Sequence, residues 1–316
     1  MGDGRLGQTA AMRRLLLLSA LVACTPTGED PADPWADGCD ADEAELRTID
    51  VGEVSLNVAC RGSGPTLVLL HGFPEFWFGW DRVMDELAGD YRLIVPDQRG
   101  YNLSDKPVGV EDYEYQHMVA DIAGLIDAVG GPVTLVGHDW GGGVAWPAAM
   151  ELTERVERLV IMNAPHLNVF GELLANDPAQ QEGFSYLGFF VTEGSEDSMM
   201  ANDFGILTTT MGDALSADEL VLYKEAWGQP RAVESGLNWY RANFEDGLPA
   251  VDVELVVDQP TLVMWGMDDD ALLPANMTNL GPYVSDLTME EIPGAGHFVE
   301  HDAPARIAEL IRGFVP

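Results

Sequence analysis

The chain has 316 residues and 47% hydrophobic content, enough to bury one large core with a smaller lobe beside it. Its 16 basic and 53 acidic residues leave a formal charge of −37. Such a surface repels nucleic acid and anionic membranes, so neither is expected as a partner. Only Lys106 and Lys224 are lysines; abundant aspartate beside so few lysines fits either salty surroundings, where screening relieves self-repulsion, or a high-GC genome that replaces Lys with Arg.

In chain order, residues 1–23 read as a secretory signal peptide. Arg13 and Arg14 give a short basic head, a short apolar stretch follows, and small residues precede Cys24. The apolar stretch is too short to span a bilayer as a helix. Met12 is a candidate for the true start. Leu21-Val22-Ala23-Cys24 resembles the bacterial lipobox. That resemblance implies a lipidated Cys24 and an exported lipoprotein on the periplasmic or extracellular side, held to the membrane only through its N-terminal lipid. Residues 24–43, rich in Pro, Asp, Gly and Glu, read as a flexible acidic tether. With Cys24 lipidated, Cys39 and Cys60 remain as a candidate disulfide in an oxidising compartment, stapling the end of the tether to the second strand.

Short apolar runs bounded by turn residues predict strands near 45–51, 54–60, 66–71, 92–97, 133–138, 158–163, 261–266 and 287–292. The fifth runs into Gly137-His138-Asp139-Trp140-Gly141. Glycines two before and two after Asp139 mark a turn too tight for Cβ atoms, opening into a helix, which is the form of a nucleophile elbow. A hydrolase would usually carry serine at its centre; an aspartate there is a carboxylate nucleophile. It attacks saturated carbon and leaves an alkyl ester that water must cleave, which points to epoxides or alkyl halides as substrates. The order nucleophile, acid, histidine is completed by one of Asp268, Asp269 and Asp270 after the seventh strand, and by His297 in a Gly/Pro-rich loop after the eighth. The aspartate would orient the imidazole and stabilise its charged form. No Cys/His spacing suggests zinc, because His297 and His301 lack a third ligand, and no dinucleotide-binding glycine loop is present, so neither metal nor cofactor is expected.

From about Glu45 to the C-terminus the chain resembles the epoxide hydrolases of the α/β-hydrolase superfamily. The likeness is carried by His71-Gly72-Phe73-Pro74-Glu75, by the block from Asp97 to Pro107, by the elbow, by Trp265 to Asp270, and by Gly294 to His297. It implies an α/β-hydrolase fold: a mostly parallel eight-stranded sheet with helices on both faces, a core at 44–166 and 260–316, and a helical cap at 167–259. The family's acid-loop spacing picks out Asp269, with Asp268 and Asp270 as alternatives. The backbone N–H groups of Phe73 and Trp140, supported by His71 and Pro74, are expected to hold the oxyanion and substrate. Tyr240 and Tyr186 are expected to donate hydroxyls to the epoxide oxygen, although Val191 stands where the family often has Gln. Asn102 replaces a usual glycine, and Asn tolerates positive φ. Phe73, Trp140, Phe189, Phe190 and Trp239 are expected to line an apolar pocket for a small hydrophobic epoxide, released as a vicinal diol. One alternative is a haloalkane dehalogenase, which would share Asp139, Trp140 and His297; against it, the Phe73 side chain cannot donate to a halide. A fluoroacetate dehalogenase would be expected to carry Arg where Trp140 stands. Another alternative is a non-catalytic binding protein on a hydrolase frame.

The net charge leads to a first prediction. The melting temperature should rise as NaCl is added, because screening weakens repulsion among surface carboxylates; a flat or falling curve would remove the case for adaptation to salt.

Overall fold

The computed structural model describes residues 33–244 and 256–316; the proposed signal peptide and Cys24 lie outside the described residues. The eight strands are β1 (Glu45–Asp50), β2 (Ser55–Arg61), β3 (Thr66–Leu70), β4 (Arg92–Pro96), β5 (Val133–His138), β6 (Val156–Met162), β7 (Thr261–Gly266) and β8 (Leu287–Ile292). They form one sheet in the order β1-β2-β4-β3-β5-β6-β7-β8. The β1–β2 and β2–β4 pairs are antiparallel and the remaining pairs are parallel. Central strands β3, β5 and β7 are buried almost throughout, so they read as continuous apolar runs, whereas the edge strands β1 and β8 carry exposed residues.

The helices α1 (Asp81–Leu87), α2 (Tyr115–Val129) and α3 (Trp140–Glu151) follow strands of the core. Among the described residues six more lie between β6 and β7: α4 (Leu167–Asn176), α5 (Pro178–Gly183), α6 (Leu187–Phe190), α7 (Ser195–Met211), α8 (Ala217–Trp227) and α9 (Ala232–Phe244). The helices α10 (Val299–Asp302) and α11 (Pro304–Phe314) complete the chain. Residues of α1, α10 and α11 bury one sheet face (Met84, Val299, Ile307, Ile311), while α2, α3 and the inserted helices share a second core with the other (Ile122, Val144, Leu237).

Three boundaries differ from the sequence expectation. Strand β6 starts earlier, at Val156, which pairs with Val133, and ends at Met162 because Asn163, at φ 42°, turns the chain. Val257 bridges to Val284, so the end of the inserted segment is already beside the core rather than in a roof reaching to 259. The tether also ends sooner. Trp35 is buried, the Arg47 guanidinium lies 5.3 Å from its ring, and the Arg92 guanidinium binds Asp33 and the Trp35 carbonyl. A large aromatic ring gains more from that burial than from water, so residues from Asp33 onward belong to the fold.

Cys39 and Cys60 are disulfide-bonded, with Cα atoms 5.9 Å apart and a sequence separation of 21. The bridge ties the segment after Trp35 to β2, where Cys39 N–H also donates to the Gly62 carbonyl (2.9 Å). Closing a loop of this size contributes about 3 kcal/mol. Thiol titration of the folded protein should therefore find neither cysteine reactive, and Cys39→Ala should lower stability by about that amount in denaturant unfolding.

Candidate active site

The site is built at the carboxyl ends of the central parallel strands, where loops leave the sheet together. Between β5 and α3 the chain turns so sharply that Asp139 takes φ 48° and ψ −121°, a conformation that costs a non-glycine residue about 1–3 kcal/mol. The turn closes only because a Cβ on Gly141 would collide with the Leu70 and His71 carbonyls, and one on Gly72 with the Asp139 side chain. The Asp139 carboxylate is thereby held up from the sheet, and Phe73 N–H donates to its Oδ1 at 2.9 Å.

His297 approaches from the loop after β8. Its Nε2 lies 3.6 Å from Asp139 Oδ2, and its Nδ1 lies 2.9 Å from Asp269 Oδ2. Of the three aspartates after β7, Asp268 and Asp270 are exposed and Asp269 is buried. Asp269 is held on all sides: Oδ1 accepts from the N–H groups of Ala271 and Leu272 (2.9 Å each), and Oδ2 accepts from Asn163 Nδ2 (2.7 Å). Asn163 also accepts from Gly266 N–H (2.9 Å), so the positive φ that ends β6 aims one amide at the acid loop. Burial pushes the His297 imidazole down, but the Asp269 and Asp139 carboxylates outweigh it and hold the group up, to about 10. Burial pushes Asp269 up, and the His297 charge with the surrounding donors brings it below its ordinary value.

Asp139 opens onto a cavity of about 50 Å³, counted as the space open to the centre of a water molecule. Tyr186 and Tyr240 both line it; their ring centroids are 6.5 Å apart at 83°. Burial, then the charge of Asp139, pushes both phenols well above their ordinary range, so both carry their protons at neutral pH. Tyr240 stands in α9 against the Trp140 ring (5.0 Å) and the Phe73 ring (5.6 Å), and Tyr186 precedes the first turn of α6. A third phenol, Tyr115 at the start of α2, also faces the cavity. No motif marks it: it sits beside Tyr113 and Glu114 in a stretch that reads only as a helix start.

Several expected residues stand elsewhere. Trp239 is fully buried and its indole donates to the Arg99 carbonyl (3.1 Å), so it braces the core. Phe189 is 38% exposed and faces outward, and Phe190 packs edge-to-face behind Tyr240 and Phe73. The apolar walls are instead Pro165, Leu167, Phe170, Phe184, Phe244 and Leu272. Helical periodicity marks which face of a cap helix is apolar, but not which apolar residue meets the nucleophile. His71 and Pro74 lie beneath the site, not in it. His71 is buried with Nδ1 against the Gly72 carbonyl (2.8 Å), which can only accept, so Nε2 is the acceptor for Gln98 N–H (3.1 Å). Burial, partly offset by that bond, lowers it to about 4, and it stays neutral. The Pro74 carbonyl takes the Trp227 indole N–H (2.6 Å). Asn102 adopts φ 38° and donates to Asp97 Oδ2 (2.9 Å), as a residue at a glycine position must.

A buried cluster behind His297 has no counterpart in the sequence expectation, although Glu75 and His138 stand inside the quoted motifs. His138, directly before Asp139, has Nε2 2.8 Å from the His297 carbonyl, and its Nδ1 lies 3.2 Å from Glu75 Oε2 and 2.9 Å from Glu300 Oε1. Glu75 Oε1 is 2.8 Å from His301 Nε2 and accepts from the Tyr223 hydroxyl at 3.1 Å. Glu75, Glu300 and His301 converge within 4.8 Å. Yet the 2.8 Å Glu75–His301 contact is hydrogen-bonded, tighter than the roughly 3.3 Å between two ligands of one tetrahedral ion. Glu75 is therefore hydrogen-bonded to His301 and Tyr223, while Glu300 meets His138 as an ion-pair contact.

Comparison with known proteins shows the family. The family model for the alpha/beta hydrolase fold matches residues 65–304. The AB hydrolase superfamily protein YfhM of Bacillus subtilis is 36% identical over 280 residues, covering 85% of this chain and 97% of its own. Epoxide hydrolase 4 of Homo sapiens is 33% identical over 265 residues, covering 79% and 72%. A crystal structure of an epoxide hydrolase from Bacillus megaterium in complex with an inhibitor superposes with a TM-score of 0.80 at 31% identity, covering 85% of this chain and 99% of that one. The chain belongs to the alpha/beta hydrolase fold family, among its epoxide-hydrolase-like members. It is a hydrolase.

The charges around His297 fix a pH dependence. A folded value near 10, above the unfolded value of about 6.5, means that its ion pairs stabilise the fold fully below about pH 6.5, a contribution lost as pH rises toward 10. Asp139→Asn removes one counter-ion, so the His297 titration midpoint, followed by NMR, should move down; an unmoved midpoint would show that Asp139 does not hold the imidazole charged.

Proposed function

We propose that this hydrolase opens epoxides to vicinal diols through an alkyl ester on Asp139. The observation that carries the reading is the convergence of two protonated phenols and a held carboxylate on one apolar cavity. In the first half an Asp139 oxygen forms a bond to an epoxide carbon as the carbon–oxygen bond of the ring breaks. The epoxide oxygen takes a proton from one phenol while the other hydrogen-bonds to it. In the second half His297 takes a proton from water, and the hydroxide adds to the ester carbonyl of Asp139. The oxyanion is held by Phe73 N–H and, by its place at the start of α3, Trp140 N–H. The adduct collapses with return of the His297 proton to the departing diol. The proton released as the carboxylate reforms restores the phenol, so the net change is addition of one water.

The resting imidazolium fits this order of events. A charged His297 cannot accept a proton, but forming the ester erases the Asp139 charge that helps to keep it charged. Alkylation of the nucleophile therefore removes one of the two carboxylate charges that keep the base protonated. The apolar walls favour hydrophobic epoxides, and the N-terminal sequence favours an exported protein anchored through Cys24.

Turnover on a panel of aryl and alkyl epoxides and haloalkanes tests the reading, with Asp139→Asn as the control. Diol without halide, abolished in the control, is the expected result. Halide release would mean a dehalogenase, and silence from a folded protein would mean a binding protein on a hydrolase frame. In H218O under single turnover the diol should be unlabelled and Asp139 should gain the label, because the water oxygen stays on the enzyme; labelled diol would exclude the ester. His297→Gln should accumulate the alkyl adduct by intact mass, and Tyr240→Phe should lower kcat about 10²- to 10³-fold.

A further inference from the structure

We propose that His138 is a fixed imidazolium, held charged by Glu75 and Glu300, that positions the His297 loop through its carbonyl and repels a proton from the His297 ring. This rests on the reading of His297 as the base of the second half-reaction.

The charge state follows from geometry. His138 Nε2 faces the carbonyl of His297 at 2.8 Å, and a carbonyl can only accept, so this nitrogen carries hydrogen. Nδ1 faces two carboxylates, Glu75 Oε2 at 3.2 Å and Glu300 Oε1 at 2.9 Å. With Glu75 ionised, Nδ1 is also a donor, and a ring that donates from both nitrogens is an imidazolium. Glu75 is kept ionised by donors on its other oxygen, the Tyr223 hydroxyl (3.1 Å) and His301 Nε2 (2.8 Å). Burial works against a charge on His138, and the Glu300 and Glu75 carboxylates overcome it. Burial, then the neighbouring Glu75 charge, raises Glu300, while the donors around Glu75 hold that carboxyl well below its ordinary value, so Glu75 is the ionised partner of His138.

The consequence falls on His297. The two imidazole rings are 5.0 Å apart between centroids, close enough for a charge on one to shift the other by about one unit or more. His297 faces Asp139 from the elbow and Asp269 from the loop after β7, both favouring its proton, and His138 opposing it. The groups facing His138 are Glu75 from the loop after β3, Glu300 from α10 and the neutral His71 at the end of β3; Tyr223 from α8 and His301 from α10 stand behind Glu75, and Arg82 lies beyond, bonded to the His301 carbonyl. Once Asp139 is esterified, Asp269 alone would still hold His297 protonated. His138 is the charge that counters it and frees the ring to take a proton from water. His138 touches no reacting atom; it acts through His297.

The experiment is a substrate-free NMR titration of histidine-labelled protein, so its outcome is independent of whether epoxides are turned over. In the otherwise native chain His138 should show both ring nitrogens protonated from pH 6 to 8; a neutral ring at pH 7 overturns the proposal without any variant at that position. In the Asp139→Asn protein, which mimics the uncharged ester, adding His138→Gln should raise the His297 midpoint by about one unit or more. If the substitution merely loosens the loop, the melting temperature falls while the midpoint stays or drops, and the proposal fails. Where epoxide turnover is established, the lower pH limit of single-turnover ester hydrolysis in His138→Gln should rise by the same amount, and an unchanged limit counts against it.

Discussion

At the turn after β5 one backbone crosses another with no room for a Cβ: Gly141 rests on the Leu70 and His71 carbonyls, and Gly72 on the side chain of Asp139. That crossing forces Asp139 into its positive φ and brings Phe73 N–H onto its carboxylate. The strain is supported by burial on both sides, since β3 and β5 are adjacent parallel strands paired from Leu67–Thr134 to Leu70–Gly137. The other parts of the site are arranged around that one carboxylate. His297 comes to it from the loop after β8, and the tyrosines from helices inserted between β6 and β7.

Outward from Asp139 stands the His297 imidazole, which faces the Asp269 carboxylate on one side and, on the other, the His138 imidazole backed by Glu75 and Glu300. In a chain with 53 carboxylates and 16 lysines and arginines, buried histidines supply positive charge where an arginine would be too large and too permanent. The arginines are used as struts: Arg99 grips Asp121 in the core, and Arg82 joins α1 to Glu219 of α8.

Much of this was legible because it depends on local pattern. The eight strands follow from apolar runs, the elbow from glycine spacing, and the acid and base from chain order. Asp269 was separable from its neighbours only through family spacing; the physical reason, that it alone turns inward onto Asn163 and two backbone N–H groups, lies in contacts across 106 residues of sequence. The buried cluster was invisible for the same cause. Glu75 and His301 meet across 226 residues, and nothing local distinguishes a buried glutamate from a solvated one in so acidic a chain. The pocket walls were misassigned because Trp239, Phe189 and Phe190 are as apolar as Phe184 and Phe244, and only packing decides which face the cavity. Trp35 was read as tether because one aromatic ring carries no periodicity.

The two phenols over Asp139 stand on unequal supports. Tyr240 sits mid-length in the thirteen-residue α9, wedged against Trp140 and Phe73. Tyr186 precedes a four-residue helix and is half-buried. In the proposed reaction the pocket therefore has a stiff wall and a compliant one. The stiff wall fixes where the epoxide oxygen sits, and the compliant wall yields to the substituents. In that reaction, handedness of the product is then governed from the compliant side, by Leu167, Phe170 and Phe184 of the cavity wall.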